Sequence, residues 1–279
     1  VLGATSFVGQ SLLGLAVARR HKVTAFSRRS LPAPTPSVTW VQLGKSAELA
    51  EPITHWIVLS PIWTLTEHFE LMRLSGARVV VALSSTSVIT KLHSPSPGEQ
   101  QKIQHMLDSE TNFAKWAESN GIRWYILRPT LIYGKATDRN LSEIARLISR
   151  FKCFPLLGMA QGKRQPVYVD DVASASLACM ESQPCTQSIY VLSGAEIVTY
   201  REMVGRVFNT LCLPPRFISL PVFIFVWVVK LLRLLPRYSD WTPEMVQRMS
   251  VDMDFEHIDA TRDFDFRPRN FTLKREDLP

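Results

Sequence analysis

Gly3, Ser6 and Gly9 recur at steps of three in "VLGATSFVGQSLL", where an apolar pair gives way to a helical pattern. A glycine at the first position permits a tight turn with close backbone approach, and one at the third lets the helix pack against a neighbouring strand. The amides that open the helix, around Phe7 and Val8, have no acceptor within it. They lie at the positive end of the helix dipole, so together with Thr5 and Ser6 they suit a pyrophosphate. The next apolar run ends in "AFSRRS". A site that binds an unmodified ribose places Asp or Glu about here, whereas Arg28 and Arg29 suit a 2′-phosphate. The chemistry expected is capture of a dinucleotide, NADP ahead of NAD. The bland alternative is a generic strand–turn–helix followed by two solvated arginines. The spacing is GxxSxxG, not GxGxxG.

Such a turn needs a parallel sheet to present it. Short apolar runs at 22–26, 38–43, 55–60, 77–84 and 123–129 read as buried strands, and 11–20, 64–74 and 99–119 carry helical periodicity. That alternation implies a doubly wound α/β sheet covered on both faces. Beyond it the pattern changes to helical segments at 143–151 and 170–180, strands at 166–169 and 188–193, and the apolar stretch 220–236. The expected division is a Rossmann domain of residues 1–140 plus 165–193, and a small, mostly helical substrate-side lobe of 141–164 plus 194–279. Asp170 and Asp171 are expected to cap the helix they open.

The chain has 279 residues, 46% hydrophobic and 20% charged, with a formal charge of +7. That charge favours anionic partners, but the Lys and Arg residues are dispersed and match no nucleic-acid motif, which leaves a phosphate-bearing small molecule. Cys153, Cys179, Cys185 and Cys212 show no metal-type spacing and read as buried or free thiols of a reducing compartment, with no metal expected. The chain opens at Val1 inside an expected strand, so a few residues are expected upstream, with or without a targeting signal. A cytoplasmic location follows from the composition. Residues 220–236 are too few apolar residues to span a bilayer, which takes about 20. Lys230, Arg233 and Arg237 share one face there, beside the aromatic Phe223, Phe225 and Trp227. This suits a core helix with a basic edge, a peripheral membrane contact or a second subunit.

With these residues assembled, the chain resembles the extended short-chain dehydrogenase/reductase superfamily, and more closely the NAD-dependent epimerase/dehydratase family. The resemblance rests on the glycine turn, "VALSSTS", "YILRPTLIYG" (125–134), "RQPVYVDDVASA" (164–175) and "VLSGAEIVTYREMV". It implies that Leu59, Ser60, Ser84 and Pro129 join Gly3, Thr5, Ser6, Phe7, Val8, Arg28 and Arg29 around the cofactor. It also implies that Thr86 fills the slot of the family's catalytic Ser or Thr. The family's Tyr and Lys should follow on the next helix with a Glu four residues after the Lys. If Glu110 is that Glu, Met106 fills the Lys slot and Lys102 the Tyr slot, so the proton relay is missing. Leu131 and Gly44 also stand where the family often has an Asn and an Asp.

Two functions are therefore weighed. One is an NADP-binding oxidoreductase or epimerase/dehydratase-like enzyme acting on a small, nucleotide-linked or lipid-linked substrate, with Lys102 as a substitute group among Lys91, Glu99 and His105. The other is a catalytically silent dinucleotide sensor or scaffold. A homodimer fits either.

Overall fold

The computed structural model describes all residues except 32–35, 45–50, 93, 139, 184, 186–187 and 220–247. The expected apolar helix at 220–236 falls outside the described residues. Five strands form most of one parallel sheet: β1 (Val23–Ser27), β2 (Val38–Gln42), β3 (His55–Val58), β4 (Val79–Leu83) and β5 (Arg123–Pro129), with an edge strand at Ile189–Leu192. Leu2 bridges both Phe26 of β1 and Val58 of β3 in parallel. Its amide donates to Ile57 O at 3.0 Å and its carbonyl accepts from Leu59 N at 2.9 Å. The spatial order is therefore β2, β1, Leu2, β3, β4, β5 and the edge strand, the doubly wound order expected.

The central strands are apolar throughout because both faces are covered. Val79, Val81, Tyr125 and Leu127 face a layer containing helices α1 (Phe7–Ala18) and α6 (Val169–Glu181). Trp56, Val58, Val80, Ala82 and Ile126 face the other layer, made of a 3-10 helix at Ile62–His68, α2 (Phe69–Leu74) and α4 (Pro97–Ser119). One strand thus feeds two cores by the period-two alternation of its side chains. Two expectations are corrected. The stretch 38–43 is half-exposed beyond Val38, as an edge strand is. The pattern at 64–74 begins as 3-10 helix and turns α-helical only at Phe69.

A third cluster surrounds Tyr133, with α5 (Leu141–Phe151), α7 (Tyr200–Thr210), a strand pair at Phe154–Leu156 and Phe217–Ser219, and the segment reaching Phe271 and Leu278. α7 starts from a capping box, with Thr199 and Glu202 satisfying each other's backbone amides. Ala260, Phe264 and Phe266, from the short helix Ile258–Phe264 and just after it, join the α1 and α6 layer instead.

Candidate functional site

The turn after Leu2 has no spare room. Gly3 has a φ of +73°, and a Cβ there would lie 2.4 Å from Ser60 N. A Cβ on Gly9 would lie 2.4 Å from Gly3 O. Ser6 ends the turn as the N-cap of α1, its hydroxyl accepting from Gly9 N at 3.1 Å. Gly3, Thr5, Ser6, Phe7 and Val8 are thereby gathered with Leu59 and Ser60 at the carboxyl ends of Leu2 and β3. This is a cradle of backbone amides at a helix N-terminus, of the kind that accepts a pyrophosphate. Arg28 and Arg29 follow β1 at the same edge. Both are exposed, and neither forms an ion pair among the described residues.

Ser84, Thr86 and Pro129 meet two strands away. Ser84 N donates to Leu127 O at 2.8 Å, and Thr86 N to Pro129 O at 3.1 Å. The Thr86 side chain is buried, and its hydroxyl also donates to Pro129 O, at 3.2 Å. The hydroxyl expected to orient a substrate oxygen is thus turned onto the backbone.

Helix α4 carries the two slots in question. Lys102 is exposed and forms no ion pair among the described residues. Met106 packs against the Trp56 and Phe113 core. Glu110, one turn on, is the fixed point of the helix. It accepts from Ser84 Oγ at 2.5 Å and from both Nε and Nη2 of Arg128, the Nε bond being 3.1 Å. That buried group ties α4 to the ends of β4 and β5. Sequence reading placed Glu110 but missed Arg128 as its partner, although the "LRP" segment held the signal.

The other titratable groups expected near Lys102 are engaged. Glu99 binds Arg248 at 2.7 Å and Lys91 at 3.4 Å, and accepts from Ser94 at 2.7 Å. Partial burial pushes the Glu99 carboxyl up, but the hydrogen bonds from Arg248 and Ser94 and the charge of Lys91 outweigh it and hold its pKa down to about 2. Arg164 donates to the carbonyls of Lys163, Arg248 and Val251, which fixes the segment that delivers Arg248. His105 stacks on Trp63 with centroids 6.1 Å apart.

Each described tyrosine has partners away from α4. Tyr133 is fully buried, and its hydroxyl lies between Thr272 O and N at 3.4 and 3.3 Å. Burial pushes its pKa up to about 12. Tyr168 donates to Asp277 at 3.1 Å, and Tyr190 to Asp263 at 2.5 Å. Tyr125 accepts from Cys185 N at 3.2 Å, and Tyr200 lies under the Arg164 guanidinium. Asp170 and Asp171 make no cap bond for α6, contrary to expectation. Asp170 binds Lys135 at 2.5 Å and Asp171 binds Arg269 at 2.7 Å, because a first-turn carboxylate is stabilised more by a nearby cation than by a distant amide.

A cavity of about 650 Å³ opens at the opposite edge of the sheet, between the amino ends of β1 and β3 and beside Val1, His21, Glu51 and Glu181.

A model of the NAD dependent epimerase/dehydratase family matches residues 65–192. UDP-glucose 4-epimerase of Vibrio cholerae is 23% identical over 146 residues, 52% of this chain and 43% of that protein. The mitochondrial NADH dehydrogenase [ubiquinone] 1 alpha subcomplex subunit 9 of Arabidopsis thaliana is 31% identical over 97 residues, 34% of this chain and 24% of that one. These matches span less than half the length of either relative. A UDP-glucuronic acid 4-epimerase variant from Bacillus cereus, solved with a fluorinated UDP-glucuronic acid and NAD, shares the fold at a TM-score of 0.68 with 13% identity. That similarity covers 99% of this chain and 94% of that one. Residues 65–192, somewhat less than half of the chain, are thus similar to the NAD dependent epimerase/dehydratase family.

Proposed function

We propose that this protein binds a nicotinamide dinucleotide phosphate at the glycine turn and holds it without the family's Tyr–Lys proton relay, as a sensor or scaffold with little or no turnover. The observation that carries this reading is the state of α4. Glu110 is bonded to Arg128, Met106 packs half-buried against the core in the slot where an ammonium would be needed, and the described tyrosines have other partners. A relay requires a phenol whose pKa a neighbouring cation lowers, and neither group is supplied. The cradle of Gly3, Ser6, Gly9 and Ser60 supports cofactor binding, and Arg28 and Arg29, exposed and without an ion pair among the described residues, support the 2′-phosphate. The NAD in the Bacillus cereus structure supports the unphosphorylated cofactor instead. The name of the Arabidopsis relative, a subcomplex subunit, supports a scaffold role.

A second reading keeps the protein an enzyme of the epimerase/dehydratase or reductase kind, with a nucleotide-sugar or other small substrate. It is favoured by Lys102, which stands exposed and without an ion pair in the tyrosine slot and would stabilise a developing alkoxide. Calorimetry with NADPH and NADH, followed by turnover assays on UDP-sugars and ketones, separates the two. Tight NADPH binding without turnover is expected. Turnover that disappears in Lys102→Ala moves the conclusion to the second reading. Absence of binding by either cofactor sinks both.

A further inference from the structure

Helix α6 starts at the cofactor edge of the sheet and ends at the other. At 1.5 Å per residue, its last turn lies roughly 15 Å from Asp170. There Cys179 is fully buried on the helix, and Cys185 lies half-buried on the loop that leaves it, six residues on. Both are free thiols. The surroundings of the Cys185 sulfur are polar. Ser182 Oγ lies 3.1 Å from it, Gln183 O accepts from it at 3.5 Å, and the Cys179 thiol lies beside it. The Cys185 amide is held by Tyr125 Oη at 3.2 Å. Ser182 itself is pinned to Cys179 O at 2.8 Å, at the helix end that carries the partner thiol. Arg123, two residues before Tyr125 on β5, adds a positive charge nearby and has a buried Nε with no hydrogen-bond partner. The fold has thus brought a sulfur among polar groups, a second thiol beside it and a cation to one place that the dinucleotide reading does not use.

We propose that Cys185 and Cys179 form a peroxide-reactive thiol pair that closes to an intramolecular disulfide. Cys185 is the attacking thiolate and Cys179 the resolving thiol. The asymmetry follows from the contacts: the Cys179 hydrogen bond first, then those of Ser182 and Tyr125, outweigh burial and bring the Cys185 pKa down to about 5, while burial drives that of Cys179 up. In the first step the Cys185 sulfur attacks one oxygen of a hydroperoxide and the O–O bond breaks. Sulfur loses two electrons and becomes a sulfenic acid, and the departing oxygen takes a proton and leaves as water or an alcohol. In the second step Cys179 gives up its proton, its sulfur attacks Cys185, and the hydroxyl leaves as water, making the S–S bond.

The test is made on the full chain. Native protein is alkylated with limiting iodoacetamide at neutral pH and mapped by mass spectrometry, with the exposed Cys212 as internal standard. A thiol that is mostly thiolate at pH 7, against a few per cent for an ordinary one, should react on the order of tenfold faster than Cys212. Hydrogen peroxide should then yield a peptide linking Cys179 to Cys185 and lacking two hydrogens. Cys179→Ala should instead stop at a sulfenic acid that dimedone traps on Cys185, and Cys185→Ser should give neither product. Equal alkylation of Cys185 and Cys212 overturns the proposal whether or not the variants fold. So does oxidation that falls on Cys153 or Cys212 while Cys185 stays reduced.

Discussion

The glycine turn and helix α4 lie at the same edge of one sheet, and they tolerate change very differently. At the turn, backbone meets backbone: an added methyl on Gly3 or Gly9 would collide with main-chain atoms 2.4 Å away. On α4, the slots at 102 and 106 hold an exposed lysine and a core-packed methionine, residues that any amphipathic helix accepts. Cofactor geometry in this fold is therefore written into the main chain, while acid–base chemistry is written into two side chains that can be exchanged without disturbing the sheet. The fixed points of α4 are instead Glu110, whose carboxylate holds Ser84 and Arg128, and Glu99, held by Arg248, Lys91 and Ser94.

Four experiments break or sharpen that contrast. The largest effect is expected at Glu110. Glu110→Gln leaves the Arg128 guanidinium without its buried counter-charge, and breaking such a pair costs about 3–5 kcal/mol of stability. Urea unfolding measures it, and a loss under 1 kcal/mol would show that α4 is held by packing alone. Next is Gly9→Ala, which forces main-chain movement of the kind that costs about 1–3 kcal/mol. NADPH affinity should fall together with stability, and calorimetry should find no binding that survives intact. Third, joint replacement Arg28→Ala with Arg29→Ala should weaken NADPH by about 1.5–3 kcal/mol and leave NADH unchanged. Equal losses for both would remove the 2′-phosphate from the argument. The smallest effect belongs to Lys102→Ala, which should shift stability by less than about 0.5 kcal/mol and leave NADPH affinity as it was.

Acid gives an independent view of the far side of α4. Arg248, Ser94 and Lys91 depress the Glu99 carboxyl to about 2, below the usual carboxylate value near 4.3. A group depressed on folding contributes stability that is fully present above its unfolded pKa and is lost as pH falls through the folded one. The contribution should therefore fade between about pH 5 and pH 2, and Glu99→Gln should flatten that part of the acid-unfolding curve. An unchanged curve in the variant would mean that other carboxylates carry the acid sensitivity.

Much of this molecule was legible in its sequence because its signals are local. The runs of valine, isoleucine and leucine announced strands buried on both faces, and the Gly3–Ser6–Gly9 spacing announced the turn. What escaped reading depends on partners distant along the chain. Nothing near Thr86 says that its hydroxyl will spend itself on Pro129 O. Nothing in "VDDVA" says that its two carboxylates will meet Lys135 and Arg269 and leave the helix uncapped. The Cys179–Cys185 contact was equally invisible, since no metal-type spacing marks it and only the turn after α6 brings the sulfurs together.

Leu2 carries a consequence for the order of assembly. With Val1, whose carbonyl accepts from Phe26 N at 2.9 Å, it joins β1 to β3 through bridges to Phe26 and Val58, and among the described residues the two halves of the sheet do not pair with each other directly. The centre of the sheet therefore cannot zip until a segment at one end of the described chain has met partners 24 and 56 residues further on. Such non-local closure is entropically slow, and it places the formation of the glycine turn late rather than early on the folding route. The backbone cradle would be the last thing this sheet acquires, and the Leu2 and Leu59 amides, sealed behind it, would be among the slowest to exchange their hydrogens once it has closed.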